Sequence, residues 1–140
     1  MSNLKFDWPV RVYFEDTDSG GVVYHANYLK FLERARTEWL RALGFEQTAL
    51  KTELGILFVV YNISIAFKSP ALFNDTLEVQ SQLIKVGYSS MIFLQKIMRC
   101  DEALVEATVK IACVDAIRLK PVGLPVTIKS TMRECKIATN

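Results

Sequence analysis

Residues 15–28 have the sequence EDTDSGGVVYHANY and lead directly into the longest helix-like segment of the chain. They include two closely spaced carboxylates, Asp16 and Asp18, a Gly-Gly pair, and His25, which is the only histidine. An acidic loop that enters a helix places a carboxylate beside backbone N–H groups that lack intrahelical partners. A reacting carbonyl needs such donors with a base or nucleophile beside them. We therefore predict that this stretch forms an active site.

The segment after the loop has the apolar spacing of a helix. Between Asn27 and Leu43, apolar side chains recur every three or four positions and charged side chains occupy the other side. Asn27 can act as the N-cap, and Gly44 is a natural C′ residue. The pattern predicts a helix over residues 27–43 whose broad apolar face packs against a sheet.

The remaining segments are rich in β-branched and aromatic residues, and their order predicts the fold class. One strand, opened by Pro9, precedes the helix and four follow it, which indicates an α+β domain with one antiparallel sheet. Short links at Gly87 and residues 101–102 favour an antiparallel meander for the last three strands. Short helical turns are predicted near residues 46–53 and 126–132. The predicted strands cover residues 10–15, 56–67, 76–85, 90–99 and 105–114.

Composition limits the functional classes. With 140 residues, the chain fits one domain over residues 1–140, and its net charge of +2 is spread without a basic cluster, so nucleic acid is not an expected partner. Three widely spaced cysteines argue against a disulfide framework and fit a reducing compartment. The longest uncharged run, residues 54–67, is too short to span a bilayer as a helix. A cytoplasmic protein is expected.

Motifs along nearly the whole chain resemble those of the 4-hydroxybenzoyl-CoA thioesterase family, and more narrowly its YbgC-type branch, which is associated with the Tol-Pal system. The core motif is R-V-x4-T-D-x2-G-V-V-Y-H-x2-Y over residues 11–28, and the match continues in ERARTE at residues 33–38 and CVD at residues 113–115. The resemblance implies a hotdog fold, in which an antiparallel sheet wraps a central helix, and hydrolysis of an acyl-CoA thioester. Composition and periodicity alone indicate only an α+β domain.

The resemblance also implies roles for two residues. Asp18 matches the catalytic aspartate of the family, which acts as nucleophile or as the base for water, whereas its Asp-x-Gly context also fits a carboxylate that caps a turn. His25 matches the histidine at the start of the central helix. It could orient water, contact the thioester sulfur, or supply only its backbone N–H to the carbonyl, and a plain surface or capping histidine is the alternative. Asp16 is expected to be structural.

Six further residues are candidates for substrate contact. Gly20 and Gly21 are expected to allow a turn and close backbone approach. Val59 and Val60 are core residues by default and could also line an acyl channel. Ser89 and Ser90 match a position where family members contact the pantetheine arm, although a plain turn role fits equally well. The candidates are Gly21, Tyr24, Val59, Val60, Ser89 and Ser90.

One position departs from the pattern of the branch. Many members carry a tyrosine where this chain has Phe14, which cannot form a hydrogen bond through its side chain. Tyr13 is predicted to point to the opposite face of the first strand and so not to replace that hydroxyl. The departure keeps open a second function, an acyl-thioester or protein-binding module with little turnover. A hotdog dehydratase is not favoured, because no Pro-Gly pair follows His25.

The resemblance further implies an oligomer. In such proteins two subunits pair their sheets and build active sites at the interface, so a homodimer or a dimer-paired homotetramer is expected. A single helix on one sheet face also leaves apolar strand residues in need of cover. Acyl-carrier-protein thioesters are an alternative substrate, and association with an envelope complex is implied by the family alone. No metal or redox cofactor is expected, and the acyl group is left open.

Overall fold

The computed structural model describes residues 4–137. Within them, five antiparallel strands form one sheet in the order β1-β3-β4-β5-β2, and the long helix α1 packs against one face. The predicted α+β architecture and the β3-β4-β5 meander are confirmed. The elements are β1 (Phe6–Arg11), α1 (His25–Ala42), α2 (Gln47–Ala49), β2 (Ile56–Phe67), β3 (Thr76–Val86), β4 (Ser90–Arg99), β5 (Glu102–Asp115) and α3 (Val126–Cys135).

Helix α1 is buried along the apolar face that the sequence predicts. It begins two residues earlier than predicted, with Tyr24 as N-cap, so the prediction of Asn27 as N-cap is wrong. The Asn27 amide instead donates to Asp16 from the first turn of the helix. The predicted stop is confirmed: Gly44 has φ +96°, and the N–H of Phe45 donates to Leu40 O in a Schellman motif. The buried residues are Tyr28, Phe31, Leu32, Ala35, Arg36, Trp39 and Leu40.

The first strand lies earlier in the chain than predicted. It covers Phe6–Arg11, and Pro9 lies inside it opposite Glu78 rather than at its start. Proline is tolerated there because β1 is an edge strand, so the missing N–H interrupts no central ladder. The chain then turns into a 3₁₀ turn at Phe14–Asp16, which leaves Phe14 78% exposed. The predictions that the first strand continues to residue 15 and that Tyr13 lies on its opposite face from Phe14 are therefore wrong.

Strand β2 forms the opposite edge of the sheet. Its predicted bounds, Ile56–Phe67, are confirmed, and it pairs with β5 alone among the described strands. The register shifts between Val60 and Asn62, and residues 59–62 in the middle of the strand are exposed. The default prediction that Val59 and Val60 are core residues is therefore wrong, since an edge strand with an open side leaves them exposed.

Two short helical segments complete the fold. The predicted turn near residues 46–53 is present as α2 followed by a π-helical turn, Leu50–Leu54. The predicted C-terminal turn is longer than expected, because α3 continues to Cys135 and buries Ile128 and Met132 near β3. No helix in the described part of the chain has the length and apolarity needed to cross a membrane.

Candidate active site

Asp16 ties the acidic loop to the start of α1. Its carboxylate is buried, and it accepts a hydrogen bond from the Tyr13 N–H (2.9 Å) and another from Asn27 Nδ2 (2.8 Å). Its carbonyl accepts from the N–H of Tyr24, the N-cap of the helix (3.0 Å). These bonds join the 3₁₀ turn before the loop to the helix after it, in agreement with the structural role predicted for Asp16.

The carboxylate of Asp18 is exposed and held by its own turn. Oδ1 accepts from the N–H of Gly20 (2.8 Å) and, at 3.4 Å, from that of Val22. Gly21 has φ +81°, so the turn requires a glycine there. Oδ2 accepts no hydrogen bond from residues 4–137. The turn-capping alternative is thus present in the structure, and it also holds one carboxylate oxygen in place while leaving the other open to solvent.

His25 is the first residue of α1. Its exposed ring stacks on Phe67, the last residue of β2, with ring centroids 4.5 Å apart and an interplanar angle of 26°. The N-cap residue Tyr24 makes no side-chain hydrogen bond to the helix. The first backbone N–H groups of a helix have no intrahelical acceptor, so this end of α1 favours a negative charge beside it.

A pocket of about 200 Å³ opens beside His25, between the helix start and the end of β2. Tyr28 is buried at its back, and the Ala71 N–H donates to Tyr28 Oη (3.0 Å), which holds the segment after Pro70 against the helix. Lys68 at the pocket rim is paired with Glu106 (2.8 Å). The lining residues are Val22, Val23, His25, Tyr28, Phe67, Lys68, Ser69 and Pro70.

A second cleft, of about 310 Å³, lies farther along α1 and is called the helix–sheet cleft below. Val59 and Val60 line it. Ser90 is near this end of the sheet, because Val59 and Ser90 flank Ala112 on the two sides of β5. The cleft is lined by Glu33, Arg36, Thr37, Leu40, Gln47, Phe58, Val59, Val60, Met91, Phe93 and Ile111.

The predicted site residues therefore fall into two groups within one chain. Asp18, Gly21, Tyr24 and His25 share the acidic loop and helix start, whereas Val59, Val60, Ser89 and Ser90 lie at the other end of the sheet. Val59 is eight positions from Phe67 on one strand, which is roughly 26 Å. The serines also take part in the local turn, where the Gly87 N–H donates to Ser90 O (2.7 Å) and the Cys113 N–H to Ser89 O (2.8 Å).

Sequence reasoning missed a buried polar group in the helix–sheet cleft. Arg36 is only 8% exposed, and its Nη1 donates to Oε1 of Gln95, which is fully buried (2.9 Å). The sequence contains a signal for both Arg36 and Gln95, because each is a polar residue within an apolar pattern. Arg36 lies four positions from Leu32 and from Leu40 on the apolar stripe, and Gln95 interrupts the buried alternation between Phe93 and Ile97. Phe67 had no such signal, since its contact with His25 depends on the tertiary fold.

Comparisons with known proteins identify the family. The model of the thioesterase-like superfamily matches residues 12–132. The acyl-CoA thioesterase YbgC of Haemophilus influenzae is 47% identical over 136 residues, which cover 97% of this chain and 100% of that protein. The acyl-CoA thioester hydrolase YbgC of Escherichia coli is 44% identical over 135 residues, covering 96% and 100% of the two chains.

The fold comparison agrees. The crystal structure of a probable thioesterase from Bartonella henselae superposes with a TM-score of 0.83 at 37% identity, and the match covers 86% of this chain and 99% of that one. The predicted hotdog fold is confirmed. The chain belongs to the thioesterase-like superfamily and, within it, to the YbgC family of acyl-CoA thioesterases.

Proposed function

We propose that the protein hydrolyses an acyl-CoA thioester to a free acid and CoA, with Asp18 and the start of α1 at His25 acting on the carbonyl. One observation carries the proposal: a carboxylate fixed through one oxygen lies in the loop that ends at a helix N-terminus without a side-chain cap. Fixing the group before reaction lowers the entropic part of the barrier. The names of the YbgC relatives support the same reaction class.

The chemistry has two forms. As a base, Asp18 takes a proton from water while the water oxygen bonds to the carbonyl carbon. As a nucleophile, its oxygen bonds to that carbon, and water later hydrolyses the resulting anhydride. In both forms the C–S bond breaks and CoA leaves as the thiolate, which is then protonated. The backbone N–H groups at the start of α1 stabilise the oxyanion that forms in between. The reaction uses no metal or redox cofactor.

For His25 we propose that the backbone N–H polarises the carbonyl. Stacking on Phe67 fixes the imidazole ring at the mouth of the small pocket, where it can also orient water or meet the thioester sulfur. Gly21 and Tyr24 are the chain neighbours of the pocket-lining residues 22–23, and we propose that they contact the substrate, Gly21 through its backbone.

We also propose a homodimer, or a homotetramer built from two such dimers, in which the β2 strands of two subunits pair antiparallel. β2 is an edge strand with an open side and an exposed apolar centre. Pairing about its midpoint would place Val59 of the partner subunit beside Ser64, about 10 Å along the strand from Phe67 instead of roughly 26 Å. The two-fold axis is then normal to the sheet, so both helices lie on the same face.

The dimer would join the two groups of predicted site residues. The helix–sheet cleft of one subunit would open toward the helix start of the other, so Val59 and Val60 would line an acyl channel that begins at His25 of the other chain. Ser89 and Ser90 remain candidates for pantetheine contact at its outer end. The cytoplasm is the proposed compartment, and association with an envelope complex rests on family resemblance alone.

The test is the release of free thiol from acyl-CoAs of graded chain length, with wild type beside Asp18→Asn. We expect turnover of at least one substrate and a loss of about a hundredfold or more in Asp18→Asn. Asp101→Asn, the same change at an exposed position outside the site, is the control and should retain activity. A wild type no faster than background, or an Asp18→Asn variant as fast as wild type, would refute the proposal for these substrates.

A second candidate function is an acyl-thioester or protein-binding module with little turnover. It is favoured by Phe14, whose ring lies edge-on to Phe73 at 5.9 Å and offers no hydroxyl near the loop. Such a module would bind acyl-CoA or an acyl carrier protein without thiol release, and Asp18→Asn would leave its affinity unchanged. Carrier-protein thioesters belong in the same panel, because they distinguish a different thioesterase substrate from a binding role.

A further inference from the structure

Arg36 is a buried cation that forms no ion pair with any of the described residues, although the exposed Glu33 is near enough to affect its pKa. The side chain is 8% exposed, and its one hydrogen bond within residues 4–137 goes to the neutral amide of Gln95. Gln95 is fixed in turn, because its Nε2 donates to Leu32 O (3.1 Å) and Ser81 Oγ (2.9 Å). The network connects α1 with β3 and β4, so the guanidinium has a fixed position under the helix.

A guanidinium carries five N–H donors, and burying its charge is costly unless partners compensate. Burial lowers the pKa of Arg36 to about 10, and the nearby Glu33 acts in the opposite direction. Arg36 therefore stays charged at neutral pH, and only one of its five N–H donors is bonded to a residue in the described part of the chain, which leaves the others for a ligand. Glu33 is exposed, so its repulsion of an anion is screened by solvent.

The side chain faces a space suited to a ligand. Arg36 lines the helix–sheet cleft of about 310 Å³, whose walls are mainly apolar and include Phe58, Met91 and Phe93. The cleft also contains Glu33, which is exposed, so Arg36 is its buried charge. A mainly apolar cleft with a few fixed polar groups is the usual composition of a small-molecule site, in which the apolar wall holds the chain and the polar group selects its end.

We propose that Arg36 is a specificity residue that receives a carboxylate at the distal end of the acyl group. The enzyme would then favour thioesters of dicarboxylic acids over those of the matching monocarboxylic acids. This inference rests on the proposed thioesterase function and on the β2 pairing that places the cleft of one subunit opposite the helix start of the other. A planar guanidinium suits this role because it can bind both oxygens of a carboxylate.

The experiment uses pairs of acyl-CoAs that differ only in the distal group: butyryl and succinyl, hexanoyl and adipoyl, octanoyl and suberoyl. The measured quantity is the ratio of kcat/KM for the diacid to that for the monoacid. For wild type we expect a ratio of about ten or more at one length at least, the usual effect of a charge-assisted hydrogen bond. A ratio of one or below at every length would overturn the proposal.

Three variants test whether Arg36 is the residue that causes the preference for diacid thioesters. Arg36→Met, which keeps an unbranched chain in the cleft, should reduce the ratio about tenfold. Arg34→Met removes the same charge from an exposed position of α1 and should leave it unchanged. Arg36→Lys, which keeps the charge without the planar fork, should lower it severalfold. A ratio unchanged in Arg36→Lys would overturn the proposal even if Arg36→Met does not fold.

Binding separates this inference from the proposed function. S-octyl-CoA and S-(7-carboxyheptyl)-CoA are thioethers that cannot be hydrolysed, and calorimetry gives their affinities for wild type and for Arg36→Lys. Turnover without a diacid preference would refute the role of Arg36 and leave the thioesterase intact. If no substrate is turned over but the carboxylated thioether binds more tightly, and Arg36→Lys reduces that difference severalfold, the thioesterase is refuted and the carboxylate site is supported. Equal binding of both thioethers would refute the site.

Discussion

Replacing Gln95 by leucine should destabilise the protein strongly, because the change leaves Arg36 without its acceptor. Gln95 is fully buried and forms three hydrogen bonds, to Arg36, Leu32 and Ser81. Leucine fills a similar volume but accepts no hydrogen bond. Losing a bond to a charged group costs about 1.5–3 kcal/mol, and leaving the donors unsatisfied adds to this. We expect the free energy of unfolding to fall by about 3 kcal/mol or more, a large part of the total for a domain of this size.

The assay is urea unfolding followed by tryptophan fluorescence, at one protein concentration for all variants because assembly would also affect stability. Gln82→Leu is the control, because Gln82 is half-buried and lies on the face of β3 opposite to Ser81. It should change the free energy of unfolding by less than about 1 kcal/mol. The double variant Arg36→Met/Gln95→Leu removes donor and acceptor together and should regain most of the loss. A Gln95→Leu cost below about 1 kcal/mol, or a double variant no more stable than Gln95→Leu, would refute this reasoning.

Three further predictions concern the loop, the helix start and the thiols. Asp16→Ala should lower the free energy of unfolding by about 2–4 kcal/mol in urea, since it leaves the Tyr13 N–H and the Asn27 amide unpaired; an unchanged stability would contradict the role of these bonds. His25→Ala should lower kcat in the thiol-release assay by less than Asp18→Asn does, because the backbone N–H remains; an equal loss would favour a role for the imidazole. Burial raises the pKa of the Cys113 and Cys135 thiols, so these two residues form less thiolate than the exposed Cys100. Iodoacetamide at pH 8 should therefore alkylate Cys100 first, as measured by mass spectrometry. Equal alkylation rates at the three cysteines would contradict the burial of Cys113 and Cys135.

Much of the fold could be predicted because its signals are local. Strand bounds for β2 and β4 follow from β-branched and aromatic runs that end at turn residues, and Gly44 ends α1 where a positive φ is needed. The first strand was misplaced for a reason that also concerns the site. The alternation at residues 10–15 is a valid strand pattern, but the Asp16 carboxylate, which accepts from the Tyr13 N–H, holds the chain in a 3₁₀ turn instead.

The candidate site could be predicted only in part. Asp18 and His25 are close in sequence and belong to one recognisable motif, so local reading found them together. The stacking of His25 on Phe67 joins residues 42 positions apart, and no local pattern indicates it. The same holds for Arg36 and Gln95, which are 59 positions apart. In both cases the local sequence pattern of each residue indicates only an ordinary structural role, as part of a strand or of a helix face.

By itself, the sequence determined the α+β architecture, the family and the acidic loop before a helix, because each depends on contacts between near neighbours and on a motif that keeps its spacing. Only the tertiary structure decided that one carboxylate oxygen of Asp18 is held by its own turn, that Val59 and Val60 lie exposed on an edge strand, and that Arg36 is buried without an ion pair in the described chain. The physical reason is that burial and pairing depend on which distant segments cover a residue, and the order of strands in a sheet is set by the packing of the whole chain.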